Sequence, residues 1–392
     1  MTAELPRLSE FGDEPSPELR DLLRMIALGA PASPDALILI ADAVAGRADR
    51  GVTRLLPILR DMSGFGTLPV PLQTGILAAH RRVNARFVVL DHMARQVVAD
   101  FRAADLPALF LKGFPLALTA YACPAHRPMG DLDLAVPAAD FARATARLEA
   151  LGFEEKPVGV GAVPGITTHA LSFHHAESSV AVDLHYHILG CSLWSGADDG
   201  FWAEAVPLDA PKMDGALTLA PEHHVVQACL HGYARSVLQL SVRWILDVHT
   251  VLTRQGASFR WERVEAEAAR HRCGPILAAA LGYVAEALQT PIPPGVIGRL
   301  ARAPVRPYDL DYFRETAALS HRTSFVHRAR RFWLASQRQS DRPIRSPQAL
   351  LNAMEEQWGC SSIGGLLRQL WRRRAEPAWL RDKRAAVSAK VG

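Results

Sequence analysis

Cysteine is scarce in this chain of 392 residues: only Cys123, Cys191, Cys229, Cys273 and Cys360, far apart and with no C-x-x-C pair. That pattern argues against a disulfide framework or a structural zinc cluster, and for reduced thiols in a cytoplasm. No stretch reaches the roughly 18 uncharged apolar residues that a membrane span needs. Glycine and proline, 27 residues each, are too few for a fibrous or disordered class. The first residues carry Glu4, Glu10, Asp13, Glu14 and Glu18, the opposite of a basic signal or transit peptide. What remains is a globular chain of ordinary composition, 49% hydrophobic and 21% charged, long enough for about two or three domains.

Charge is uneven. The formal net charge is +4, yet residues 320–392 hold 15 Lys/Arg against 5 Asp/Glu, leaving 29 against 35 before them. A basic end on an acidic body is consistent with a polyanionic partner, nucleic acid included. Solvated helix faces are the plainer explanation, since Phe332, Trp333, Trp371 and Trp379 interrupt the basic residues.

Periodicity divides the chain into three regions. Residues 1–104 read as helices: Ser16-Pro17 and Ser33-Pro34 are start signals, a third helix is expected at 51–62, and a long one at 72–103. Between 105 and 210 the pattern becomes α+β. The apolar run 108–111 reads as a buried strand, residues 132–136 as an alternating one, and runs at 169–174 and 180–188 as two more. Helices are expected from Pro115 and over 138–151. From 211 to 392 the pattern is helical again, with helices near 221–236, 241–254, 261–272 and 275–288. The expected fold is therefore α+β: a small mixed sheet flanked by N-terminal and C-terminal helical regions.

The main chemical signal is Asp131-Leu132-Asp133. On a strand, residues i and i+2 share a face, and two carboxylates so close repel unless a cation sits between them. Hard oxygen ligands suit Mg²⁺ or Mn²⁺. Three neighbours add weight. Lys112-Gly113 closes the preceding strand where a helix starts, and a glycine there lets backbone approach a phosphate. Arg127 lies in the loop entering the strand and could grip phosphate bidentately. Asp183, in a second strand pattern, shares a face with His185 and His187. Those two histidines read most simply as half-buried strand residues. His223, His224 and His231 lack a carboxylate or cysteine at ligand spacing, and Arg243 and Asp247, four apart, read as a helix-face ion pair.

The runs 111–113, 127–134 and 182–185, with Arg243-Trp244-Ile245-Leu246-Asp247-Val248 beyond them, resemble the polymerase-β-like nucleotidyltransferases. Within that superfamily they look most like uncharacterised bacterial nucleotidyltransferase-family proteins. The resemblance covers about residues 105–290. It departs at Gly113-Phe114, where the superfamily usually has glycine-serine, so a phosphate-binding hydroxyl is missing. The resemblance implies transfer of a nucleoside monophosphate from a triphosphate to a hydroxyl acceptor (peptide, metabolite or RNA). It also implies that Asp131 and Asp133 hold both metal ions and that Asp183 holds the one activating the acceptor. Lys112, Gly113 and Arg127 would then serve the nucleotide. Two other functions use the same residues. The D-x-D could serve a glycosyltransferase with a nucleotide-sugar, although a helical first hundred residues is unlike that class. A degenerate core could instead be a scaffold or nucleic-acid-binding module working through 320–392.

Overall fold

The two Ser-Pro dipeptides start helices as their chemistry requires. The Ser16 hydroxyl accepts the Leu19 N–H at the head of α1 (Pro17–Leu28), and Gly29, at φ 64°, ends it. Ser33 does the same for α2 (Pro34–Val44). Asp49 caps α3 (Arg50–Thr53) by accepting from the N–H groups of Gly51 and Val52. The single helix expected at 51–62 is instead broken after α3, and a 3-10 stretch follows over Leu56–Asp61. Pro57, which cannot donate to a helical ladder, sits just after the break, in the first turn of the 3-10 stretch. Helix α4 (Val70–Ala103) then runs for 34 residues. These features come from a computed structural model that describes residues 5–11, 14–156, 168–239, 242–318 and 325–339.

A mixed sheet follows. Strand β1 (Ala108–Leu111) leads into α5 (Gly113–Thr119), then β2 (Asp131–Ala135), α6 (Phe141–Ala150) and β3 (Phe153–Glu155). Strands β4 (Ala170–His175) and β5 (Val180–His185), helix α7 (Asp199–Ala203), and strands β6 (Val206–Pro207) and β7 (Ala216–Thr218) complete it. The order is β3-β4-β5-β2-β1-β7-β6. The fold class is thus α+β, as expected. The sheet, however, runs on to Thr218, past the boundary read at 210, because the short β7 pairs with β1 in parallel. Its three residues are too few to show a strand period.

Alternation along the strands separates two cores. Phe110, Leu132, Leu134, Val182 and Leu184 pack on one face with Leu90, Val97 and Phe101 of α4 and Leu148 of α6. Leu109, Leu111 and Ala135 point the other way, into a second core shared with the C-terminal helices. Because β1 is covered on both faces, it reads as an unbroken apolar run. Side chains 131, 133 and 183, out of phase with the leucines and valines, necessarily share the second face.

The C-terminal helices form close to expectation: α8 (Pro221–Gln239), α9 (Arg243–Gln255), α10 (Trp261–Arg270) and α11 (Gly274–Leu288), then α12 (Pro294–Ala301), α13 (Pro307–Ala318) and α14 (Phe325–Gln339). Arg338 of α14 donates to Asp309 of α13 at 2.7 Å, with both side chains fully buried. This cation of the basic segment is therefore structural. The remainder of that segment beyond 339, and the loop read at 157–165, lie outside the described residues. The described residues up to Gln339 cluster as one compact unit. Among the described residues no helix is long and apolar enough to cross a membrane.

Candidate active site

Strands β2 and β5 run parallel with Asp133 directly opposite Asp183. Neighbouring strands lie about 4.8 Å apart, so the register alone makes these two carboxylates neighbours. Arg86 of α4 steadies the entry to both strands, donating to the carbonyls of Gly130 and Ser179 at 2.9 Å each. Asp183 is oriented by Ser172 of β4, whose hydroxyl donates to Oδ1 at 2.5 Å. Asp133 is buried and meets two partners on one oxygen. Lys112 Nζ donates to Oδ1 at 2.5 Å, and His185 Nε2 lies 3.1 Å from the same atom. Burial works against its charge, but the Lys112 ammonium and His185 outweigh it and hold the carboxyl far below the usual carboxylate range.

All three aspartates line one cleft of about 280 Å³. They do not gather into one ligand sphere: among the described residues the three-member groups of potential metal ligands within 4.8 Å include none of them. Repulsion between unshielded carboxylates and the engagement of Asp133 with Lys112 account for the spread.

The residues expected to serve phosphate are placed differently. Lys112 is spoken for by Asp133, which the β1–β2 register sets beside it through the Leu111–Asp133 pair. The backbone bend also falls on Lys112 rather than Gly113. Lys112 has φ 56° and ψ −119°, a conformation costing a non-glycine residue about 1–3 kcal/mol. Its N–H is secured by Gln227 Oε1 of α8 at 3.1 Å. Gly113, the first residue of α5, is needed for space, since a Cβ there would come within 3.2 Å of Met129 and 3.4 Å of the Arg127 guanidinium.

Arg127 is buried and forks onto Asp247 of α9, Nε to Oδ1 at 2.6 Å and Nη2 to Oδ2 at 2.8 Å, while Nη1 donates to the Pro128 carbonyl. The Tyr121 hydroxyl also donates to Asp247, at 2.7 Å. The ion pair of Asp247 is therefore with Arg127 and not with Arg243 in its own helix. Arg243 instead turns to the Pro128 carbonyl and leaves a buried Nε with no hydrogen-bond partner. His185 reaches the site but His187 does not, because it bonds to Asp198 at 2.7 Å. His224 packs on Thr218 at 2.9 Å, with burial pushing it down to about 3.

Two arginines the sequence reading passed over also line the cleft: Arg50 and Arg54, one helical turn apart on and just after α3. Their i, i+4 spacing was the available signal. Neither forms a salt bridge among the described residues. Burial and the charge of Arg127 lower the proton affinity of Arg54, against the attraction of Asp131. Arg243 is pushed the same way by burial, Arg127 and Arg54. The cleft therefore has an acidic edge on the sheet and a basic wall on the helices.

The uncharacterised nucleotidyltransferase family matches residues 47–289 of this sequence. The chain belongs to that family. A search of the curated proteins gives no match. The matched span begins before α3, so Arg50, Arg54 and the whole cleft lie within the nucleotidyltransferase region, and the N-terminal helices from residue 47 onward are part of it.

Proposed function

We propose that this nucleotidyltransferase moves a nucleoside monophosphate from a nucleoside triphosphate to a hydroxyl acceptor and releases pyrophosphate. One observation carries the reading: Asp133 and Asp183 stand in register on parallel strands, facing a cleft whose other wall holds Arg50, Arg54 and Arg243. An acidic edge opposite a basic wall suits a polyanion bound together with a divalent cation.

The donor set fits such a cation by its chemistry, since it consists of hard carboxylate oxygens and Asp133 stays ionised. Asp131, Asp133 and Asp183 would hold Mg²⁺ or Mn²⁺. When bound, the ion would neutralise phosphate charge and make the acceptor hydroxyl more acidic. The chain's own groups do the rest. The orphaned Nε of Arg243 and the unpaired guanidinium of Arg54 bind phosphate oxygens. Lys112 holds Asp133, and with a cation at the acidic edge its ammonium would be free to bind the triphosphate. Asp183, steadied through Oδ1 by Ser172, takes the acceptor proton on Oδ2. The acceptor oxygen bonds to the α-phosphorus as the bridging P–O bond breaks, and its electron pair leaves with pyrophosphate.

The test is incubation of the full chain with each α-³²P-labelled nucleoside triphosphate, Mg²⁺ and host lysate. Label should move to an acceptor with the wild type and fall about a thousandfold with Asp133→Ala. Absence of label with all nucleotides would overturn the reading. Preferential binding of UDP-sugars in calorimetry would redirect it to glycosyl transfer.

A further inference from the structure

Away from the cleft edge, three metal-ligating side chains from two distant stretches of sequence meet. His80 comes from the first half of α4, while Cys123 precedes and His126 ends the 3-10 turn Pro124–His126 that leads into Arg127. One ligand atom from each lies within 4.8 Å of the other two. Both histidines are buried and the cysteine is half-buried. Cys123 Sγ is 3.7 Å from His80 Nε2. Bonds of about 2.3 Å to sulfur and about 2.0–2.1 Å to nitrogen at a tetrahedral angle separate those atoms by roughly 3.5 Å, so the observed spacing is already near that of ligands sharing one ion.

His126 adds a second observation. Its Nε2 is buried, and among the described residues the Asp61 carboxylate is the polar group within hydrogen-bond distance of it. That carboxylate, at the end of the Leu56–Asp61 turn, approaches the nitrogen to 2.9 Å, as a carboxylate does when it orients a metal-binding histidine through the other ring nitrogen. One group opposes a cation: the Arg60 guanidinium lies 3.1 Å from His80 Nε2. Its side chain is 44% exposed and also pairs with Asp61, so it can swing into solvent.

We propose that His80, Cys123 and His126 form a binding site for one Zn²⁺ ion, with Asp61 orienting His126. Nitrogen and sulfur donors select a borderline-soft metal, unlike the all-oxygen edge of the cleft. Binding releases the Cys123 thiol proton to solvent, and the thiolate and two neutral imidazoles would hold the ion, leaving its fourth position to water. The ion ties α4 to the loop that delivers Arg127. The spacing Cys-x-x-His, with the third ligand far upstream, leaves no C-x-x-C signature in the sequence. The assignment is independent of the transfer reaction.

The test uses the full chain, stripped with chelator and titrated with Co²⁺ and then Zn²⁺. One Co²⁺ per chain should give a thiolate charge-transfer band that Zn²⁺ abolishes. Cys123→Ser should remove the band and weaken Zn²⁺ binding by at least about a hundredfold, because even outer-shell changes cost up to that much. Asp133→Asn should leave the band intact, which separates this site from the cleft. A second measurement needs no variant: Zn²⁺ should slow alkylation of Cys123 in the wild type at least tenfold relative to Cys191, read by peptide mass spectrometry. A band that persists in Cys123→Ser, or equal alkylation of Cys123 with and without Zn²⁺, overturns the site.

Discussion

Arg127 and Arg54 line the same cleft and carry the same charge, but they stand in opposite situations. Arg127 is buried, with its donors taken by Asp247 and the Pro128 carbonyl. Arg54 is half-buried and has no salt bridge among the described residues. A buried guanidinium must be matched in charge and hydrogen bonds or it destabilises the fold. A half-buried one at a cleft wall is kept charged by water and is available to a ligand. The difference separates a cation that shapes the site from one that, on the proposed function, would serve it, although sequence made Arg127 the more conspicuous of the two.

The sharpest way to break this comparison is Asp247→Ala. It strands Arg127 as an uncompensated buried charge and removes the acceptor of the Tyr121 hydroxyl. Unfolding free energy, measured by urea titration, should drop by about 3–5 kcal/mol. A change under about 1 kcal/mol would mean that Arg127 is not structural.

Next in size is Lys112→Met, which should lose about 2 kcal/mol at neutral pH. Its signature is the pH slope. The Asp133 carboxyl titrates below its unfolded value of about 3.9. Its contribution is therefore fully present above that pH and lost as pH falls toward the depressed folded value. Without Lys112 burial dominates and the carboxyl rises, so the variant should lose stability less steeply than the wild type below about pH 4. Urea titrations at stepped pH measure this.

Arg54→Ala should leave unfolding within about 0.5 kcal/mol of the wild type. Calorimetry should show nucleoside triphosphate affinity reduced on the order of tenfold, about 1.4 kcal/mol. Should Arg54→Ala unfold the protein and spare affinity, the two arginines would exchange roles. The smallest effect expected is that of Gly113→Ala. The new methyl presses on Met129 and Arg127 and should cost about 1 kcal/mol in thermal or urea unfolding.

Much of the frame was readable because its causes are local. Ser16 and Ser33 announce helices by capping chemistry, and β2 alternates because one face is core and the other is cleft. The Asp131/Asp133 pair was legible because i and i+2 share a strand face. The strand β7 was not, since three residues carry no period and its place is set by pairing with β1. The positive φ went to Lys112 and not to the adjacent glycine, because the Gln227 contact from α8 and the crowding at Gly113 decide it. Asp247 was assigned to Arg243 by helical spacing, yet a buried bidentate partner from a distant loop prevails over a turn neighbour.

By itself, the order of residues determined the α+β class, most helix starts and which face of β2 and β5 would be acidic, because periodicity, caps and alternation act over a few residues. Only the tertiary structure decided that Asp183 stands opposite Asp133, that Arg50 and Arg54 form the facing wall, and that His80 meets Cys123 and His126. Those outcomes depend on strand register and helix packing between segments tens of residues apart, where no local spacing rule applies.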